Sequence, residues 1–322
     1  MCTCLAMCFQ DFYFGRNMDI DYSFNEKIVI TPRNFPFNFS NNKKLNHHLA
    51  FIGCATIIDN YPLYAEACNE KGLCICGLNF TNNAIFNKNL LDNKDNIAVF
   101  ELIPWILSQC ETVEQAKYLI RQINIVDKKF NEKVPTASLH WQISDKDSSI
   151  VLECTNQGIQ IYHNQLGVLT NDPPFPFQLF NLSNYLNLTV YQPKNCFSDL
   201  NIKYSNSSGC YGLPGDFSSI SRFVKLSFLK LNTINKTSEN ECISQFFHLL
   251  DSVLVINGSI KDKQSEYYTT YSCCINASKK IYYYKTYNSL QIKAIKLFNE
   301  DLNEKELIIF PFDNDENISY MN

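Results

Sequence analysis

Residues 1–21 read MCTCLAMCFQDFYFGRNMDID. The fold turns on whether Cys2, directly behind the initiator methionine, is an early core thiol or a functional chain end. Cysteine is small enough for methionine aminopeptidase to remove Met1, which would leave Cys2 with both a thiol and a free α-amine. Such an amine titrates near about 8 and a thiol near about 8.5, so the amine can take the thiol's proton at neutral pH and later return one to a leaving amine. The stretch YFGRNMDID at 13–21 is placed to pair as a hairpin with residues 2–9. It would bring Arg16 and Asp19 beside the N-terminus, the arginine favouring thiolate and the carboxylate holding the ammonium. A buried apolar Cys2 with an ordinary Arg–Asp pair at a hairpin rim reads the same letters, and both readings stand at this point.

Working outward, the 322 residues are 45% hydrophobic and 19% charged, with a net charge of -4. That is a globular composition with ample core and no electrostatic case for nucleic acid or an anionic membrane. The first residues carry Asp11 and lack a basic region before an apolar run, so no secretory signal is expected, and no stretch approaches a membrane span. Fourteen cysteines in such a chain imply a reducing compartment and free thiols, hence a cytoplasmic location. Pairs at Cys2/Cys4, Cys74/Cys76 and Cys273/Cys274 raise metal binding as an alternative, but none has the spacing of a zinc site. No metal and no cofactor are expected.

Short β-branched runs predict strands over Lys27–Thr31, Leu49–Ile57 and Gly72–Leu78. Helical spacing follows at Phe100–Gln109 and Val113–Ile123, the second behind Thr112 with Gln115 three residues on. SLHWQISD, SIVLEC and IQIYHN are separated by hairpin-length DKDS and TNQG, and LGVLTND makes another short strand. Helices are predicted at Pro176–Leu186, Ser219–Leu231 and Glu239–Val255, and strands again in TTYSCCINA, KIYYYKTY and QIKAIKL. Residues 313–322 read as a frayed acidic tail. Without repeats, linkers or β-α-β alternation, the pattern predicts one layered α+β domain with antiparallel sheets and segregated helices.

These segments resemble the choloylglycine hydrolase family of bile salt hydrolases and penicillin V acylases. The resemblance runs through MCTCLA, YFGRNMDIDYSFNEKIVITPRNF, YPLYAEACNEKGLCICGLNF, NIVDKKFNEKVPTASLHWQISD, LGVLTNDPPF, YGLPGDFSSISRFVKLSFL and YTTYSCCINASKKIYYYKTYNS. It weakens around 187–208 and in the tail. It implies an N-terminal-nucleophile (Ntn) hydrolase, an αββα sandwich of two antiparallel sheets between helical layers, with the mature chain starting at Cys2. Position by position, Cys2 matches the nucleophile and Arg16 and Asp19 its close partners. Asn79 in GLNF and Asn171 in VLTN match the oxyanion-hole residues, and Arg222 in SRF the remaining active-site arginine. Met18, Ile58, Ala65, Phe130 and Val134 fall where apolar residues line the acyl pocket, with plain core packing as the competing reading. The implied reaction is hydrolysis of glycine- or taurine-conjugated bile salts through a thioester. Asparagine at 79 is the bile-salt-hydrolase type, where penicillin V acylases tend to carry tyrosine. Family analogy implies a homotetramer.

Two departures stand out. Cys4 places a second thiol two residues from the nucleophile on the same strand face, where oxidation or competition for electrophiles is conceivable. Asp172 follows Asn171 where the family commonly has serine, and a carboxylate facing the pocket would disfavour an anionic leaving group. The alternatives carried forward are an acylase for penicillin V or acyl-homoserine lactones, a non-catalytic binder of amphipathic ligands, and a thiol-based metal-binding protein.

Overall fold

The computed structural model describes residues 1–202, 208–261 and 265–322. Two antiparallel sheets dominate. In the seven-stranded one, Val168–Leu169, Cys2–Cys8, Phe12–Ile20, Glu266–Asn276, Ile281–Thr286 and Lys293–Lys296 lie side by side, and Ile260–Lys261 adds to Glu266–Asn276. In the eight-stranded one the order is Gly158–His163, Ser149–Thr155, Leu139–Ser144, Cys74–Asn79, Tyr61–Asn69, Phe51–Ile58, Lys27–Thr31 and Ile308–Pro311.

Strand alternation explains the layering. In the eight-stranded sheet Ile28, Ile30, Ile52, Cys54, Cys68, Cys74, Cys76 and Leu78 join one core, shared with Cys2, Cys4, Ala6 and Cys273 of the other sheet. Intervening residues such as Val29, Phe51, Ile75, Trp141 and Ile143 pack instead with helices Leu102–Leu107 and Val113–Ile120. Helices Ser219–Leu231 and Glu239–Asp251 cover the outer face of the seven-stranded sheet. This is the four-layer α+β sandwich that the resemblance implied. Gly15 is required where the hairpin meets its neighbour: a Cβ there would lie 2.0 Å from the Cys273 carbonyl oxygen.

Most of the cysteines are core material; Cys8 and Cys196 are exposed and Cys210 is half-buried. All fourteen are free, and burial pushes the thiols of Cys4, Cys54, Cys74 and Cys273 well up. Among the described residues no cluster of three His, Cys, Asp or Glu side chains suits a metal. No described helix is long and apolar enough to cross a membrane.

Several elements differ from the sequence expectation. The helix predicted at Pro176–Leu186 is α-helical only over Phe175–Asn181, and the strands Asp95–Ala98 and Ile308–Pro311 are unassigned from sequence. The helix starting at Val113 stops at Ile120, and Ile123–Val126 becomes a strand parallel to Asp95–Ala98. The helix from Glu239 ends at Asp251 rather than at Val255. Tyr61–Asn69, unassigned from sequence, is a central strand with a β-bulge: Cys54 pairs with Glu66 but Ala55 with Tyr64, leaving Ala65 as the extra residue. At the far end, Asp313 and Asp315 hold Lys293 through their carbonyls, and Glu316 accepts from the Leu290 amide, whereas residues 317–322 are exposed.

Candidate active site

The first hairpin sets the geometry. Cys2 pairs with Met18 and Cys4 with Arg16, so all four side chains share the inter-sheet face, while Thr3, Asn17 and Asp19 point to the helices. On the inner face the Cys2 thiol lies 3.9 Å from Met18 Sδ, and Arg16 Nη2 lies 3.4 Å from the same sulfur. Arg16 is 1% exposed. It donates to the Gly77 carbonyl at 2.8 Å and faces Glu66 at 3.6 Å. Burial alone would lower its pKa, but Cys2, Cys76, Tyr271 and Glu66 outweigh that and raise it well above the usual arginine value. The guanidinium therefore stays charged beside the thiol.

On the helix side, Asn17 Nδ2 donates to the Leu250 carbonyl at 2.9 Å. Asp19 Oδ1 accepts from Thr269 Oγ1 at 2.6 Å, and its backbone exchanges two bonds with Met1. Asp19 Oδ2 is buried and makes no hydrogen bond to a described residue; Arg222 Nη1 stands 3.8 Å away.

A chain of hydrogen bonds ties the remaining site residues together. The Cys2 backbone nitrogen donates to Asn171 Oδ1 at 2.8 Å, and Asn171 Nδ2 donates to the Asn79 carbonyl at 2.8 Å. Arg222 Nη2 donates to the same Asn171 oxygen at 2.8 Å, and Nη1 reaches the Cys2 carbonyl at 2.6 Å and the Thr3 hydroxyl. Each partner is fixed locally. Val168–Leu169 pairs with the first strand, with Leu169 opposite Cys4, which delivers Asn171 to the chain end. The Asn171 amide donates to Ser219 Oγ at 2.9 Å. Arg222 sits in the first turn of a helix that Ser218 caps through the Ser221 amide. Burial lowers its pKa, and the nearby Asp19 and Cys2 oppose that. Asn79 ends its strand exposed, its Oδ1 accepting from Thr81.

The six expected catalytic positions thus gather around one chain end. Among the pocket positions, Met18 touches the thiol, and the Ala65 carbonyl accepts from Arg16 at 3.5 Å. Ile58 pairs with Tyr61 at a hairpin tip. Phe130 packs on Tyr61 and Phe100 with centroids 5.7 and 5.1 Å apart and donates its amide to Val134. Those three are half-buried, and no described contact joins them to the thiol. Cys4 is fully buried, and burial together with the facing Cys76 thiol raises its pKa, so it stays a thiol. Asp172 Oδ1 accepts from Asn83 Nδ2 at 2.6 Å, joining the segments that follow Asn79 and Asn171.

Sequence reasoning missed Ser219, Thr269 and Glu66. The signal for Glu66 was a carboxylate inside the apolar run YPLYAEACN, and the bulge at Ala65 obscured it by breaking the alternation.

The family model for linear amide C–N hydrolases, choloylglycine hydrolase family, matches residues 2–310. The chain belongs to that family. The bile salt hydrolase/transferase of Lactiplantibacillus plantarum is 46% identical over 315 residues, covering 97% of both chains. That of Clostridium perfringens is 38% identical over 329 residues, covering both chains fully. The crystal structure of a variant of conjugated bile acid hydrolase from Clostridium perfringens superposes with a TM-score of 0.92 at 37% identity, over 100% of both chains. Penicillin V acylase from Agrobacterium tumefaciens shares the fold, with a TM-score of 0.74 at 20% identity over 95% of this chain and 90% of its own. Family membership makes the chain a hydrolase of linear amide C–N bonds.

Proposed function

We propose that the mature chain, a single domain starting at Cys2, hydrolyses the amide bond of glycine- or taurine-conjugated bile salts with Cys2 as nucleophile. The observation that carries this reading is the 2.8 Å bond from the Cys2 nitrogen to Asn171 Oδ1. It means that the nitrogen freed by removal of Met1 is already held in the network that surrounds the thiol. Asp19 Oδ2, buried and without a hydrogen bond to a described residue, is the acceptor for the extra protons of an ammonium there.

In the cycle, the α-amine takes the Cys2 proton and the thiolate attacks the amide carbon. Negative charge forms on the carbonyl oxygen. Donors at Asn79 and the side-chain Nδ2 of Asn171 receive it, and one such donor is worth about 2.7–4 kcal/mol in an amide hydrolase. The ammonium protonates the departing amine, leaving a Cys2 thioester, and water activated by the same amine releases the bile acid. Arg222 keeps Cys2 and Asn171 in register by holding both oxygens. Met18, Ala65, Ile58, Phe130 and Val134 offer the apolar wall that a rigid steroid needs. The names of the relatives from Lactiplantibacillus plantarum and Clostridium perfringens support the substrate class.

The protein works in the cytoplasm as a homotetramer on this reading. Fourteen unpaired cysteines suit a reducing compartment. The segment with Phe180, Leu186, Tyr191 and Phe197, each more than 75% exposed, is the apolar surface that subunit contact would cover; light scattering on the purified protein tests the assembly. The functional test compares glycocholate, taurocholate and penicillin V on one preparation whose intact mass shows Met1 removed. Turnover of a bile salt, abolished in Cys2→Ala, is the expected result. Turnover of penicillin V alone, or an active protein that keeps Met1, refutes the reading.

A further inference from the structure

We propose that Glu66, acting through Arg16, sets the charge balance of the Cys2 thiol. It is a positioning residue of the eight-stranded sheet that controls a nucleophile on the other sheet. The inference rests on Cys2 being the nucleophile, as proposed above.

The guanidinium of Arg16 has two ends. Nη1 faces Glu66 Oε2 at 3.6 Å, and Nη2 reaches Met18 Sδ at 3.4 Å, the atom that the Cys2 thiol contacts at 3.9 Å. The side chains of Arg16 and Glu66 are 1% and 0% exposed, so no solvent screens the pair. Glu66 is locked by its other bonds. Tyr271 OH donates to it at 2.9 Å, Tyr282 OH at 2.6 Å and the Cys273 thiol at 3.6 Å. All three come from the sheet that carries Cys2, so the carboxylate is pinned across the interface. The bulge at Ala65 puts Glu66 on this face.

The titratable groups around this centre come from six strands: Cys2 and Cys4, Arg16, Cys54, Cys76, Tyr271 with Cys273, and Tyr282. Burial pushes Cys4, Cys54, Cys273 and both tyrosines well up, so they stay neutral. Glu66 is raised by burial, against the pull of Arg16 and its hydrogen bonds. It is the carboxylate that shares Arg16 with the thiolate. While Glu66 is ionised, part of the guanidinium charge is neutralised. When it takes a proton, the full charge passes to Cys2 and sustains thiolate as the pH falls.

The test uses the mature protein and measures iodoacetamide alkylation from about pH 5 to 9, with Cys2 quantified by peptide mass. Glu66→Gln mimics the protonated carboxylate, and the midpoint for Cys2 is expected to move down by about one pH unit. Tyr282→Phe, which removes a hydrogen bond that favours the ionised form, should move it the same way by less. An unmoved or raised midpoint in folded Glu66→Gln overturns the proposal. If that variant does not fold, an unmoved midpoint in Tyr282→Phe does. A Cys2→Ala protein that still hydrolysed conjugates would refute the nucleophile reading instead, since alkylation reports the thiol without turnover.

Discussion

Replacing Asn171 separates positioning from catalysis, because its two ends do different work. Its Oδ1 accepts from the Cys2 nitrogen and from Arg222, both at 2.8 Å, and its Nδ2 donates to the Asn79 carbonyl at 2.8 Å. Asn171→Ala removes all three bonds and leaves a buried guanidinium nitrogen unmatched. With the charged bond worth about 1.5–3 kcal/mol and neutral ones about 1, the expected loss is about 2–4 kcal/mol of stability after partial relaxation. Asn171→Asp keeps both accepting bonds but turns the donor into a carboxylate oxygen facing the Asn79 carbonyl. Its stability should stay within about 1 kcal/mol of the parent, since the new charge lies against Arg222. Turnover should fall about 100- to 1000-fold in both variants, the loss of one oxyanion donor. Urea unfolding gives the stability and steady-state hydrolysis of glycocholate the rate. Asn171→Asp with turnover within tenfold of the parent would refute the assignment of Nδ2 to the reacting oxygen.

Arg222→Met should destabilise the protein by about 3–5 kcal/mol in urea unfolding, because it strands the buried Asp19 carboxylate and the Cys2 carbonyl. Cys4→Ala is expected to cost about 1 kcal/mol of stability and to leave both turnover and Cys2 alkylation unchanged, as fits a core-filling thiol. Lys230 is half-buried against the Leu166 carbonyl, to which it donates, and its desolvation lowers it to about 8. The unfolded chain then binds more protons than the native state between about pH 8 and 10.5, so this group destabilises at neutral pH and its cost fades as pH rises through that window. Lys230→Met should therefore be more stable than the parent at pH 7 by about 1–2 kcal/mol after the lost hydrogen bond is counted. The difference should shrink toward pH 10 when both are unfolded in urea.

The legible parts of the fold were those in which local chemistry and tertiary role agree. Ser219–Leu231 was bounded correctly because Ser218 caps it and its apolar stripe runs to the last turn. The first hairpin followed from two runs of strand-length spacing. The strand at Ile123–Val126 failed this test. INIV is apolar and short, and only its parallel pairing with Asp95–Ala98 makes it a strand rather than one more helical turn. Tyr61–Asn69 failed for a different reason: a bulge shifts the period midway, so no single alternation describes it.

The site divides in the same way. Arg16 and Asp19 were expected together, yet residues three apart on a strand face opposite sides. The structure turns that into a division of labour, with Arg16 beside the thiol and Asp19 under the chain end, 3.8 Å from Arg222. Nothing local distinguishes the two jobs; the strand parity does, once the hairpin is known. Asn79 and Asn171 lie 92 residues apart and meet through one hydrogen bond, so only the resemblance carried them into the site. Glu66 had no such guide. A buried acid inside an apolar strand makes sense only when the opposing sheet supplies Arg16, Tyr271 and Tyr282, and those partners sit 50 residues before it and more than 200 after it. A carboxylate that looks misplaced along the chain is therefore where the two sheets are joined.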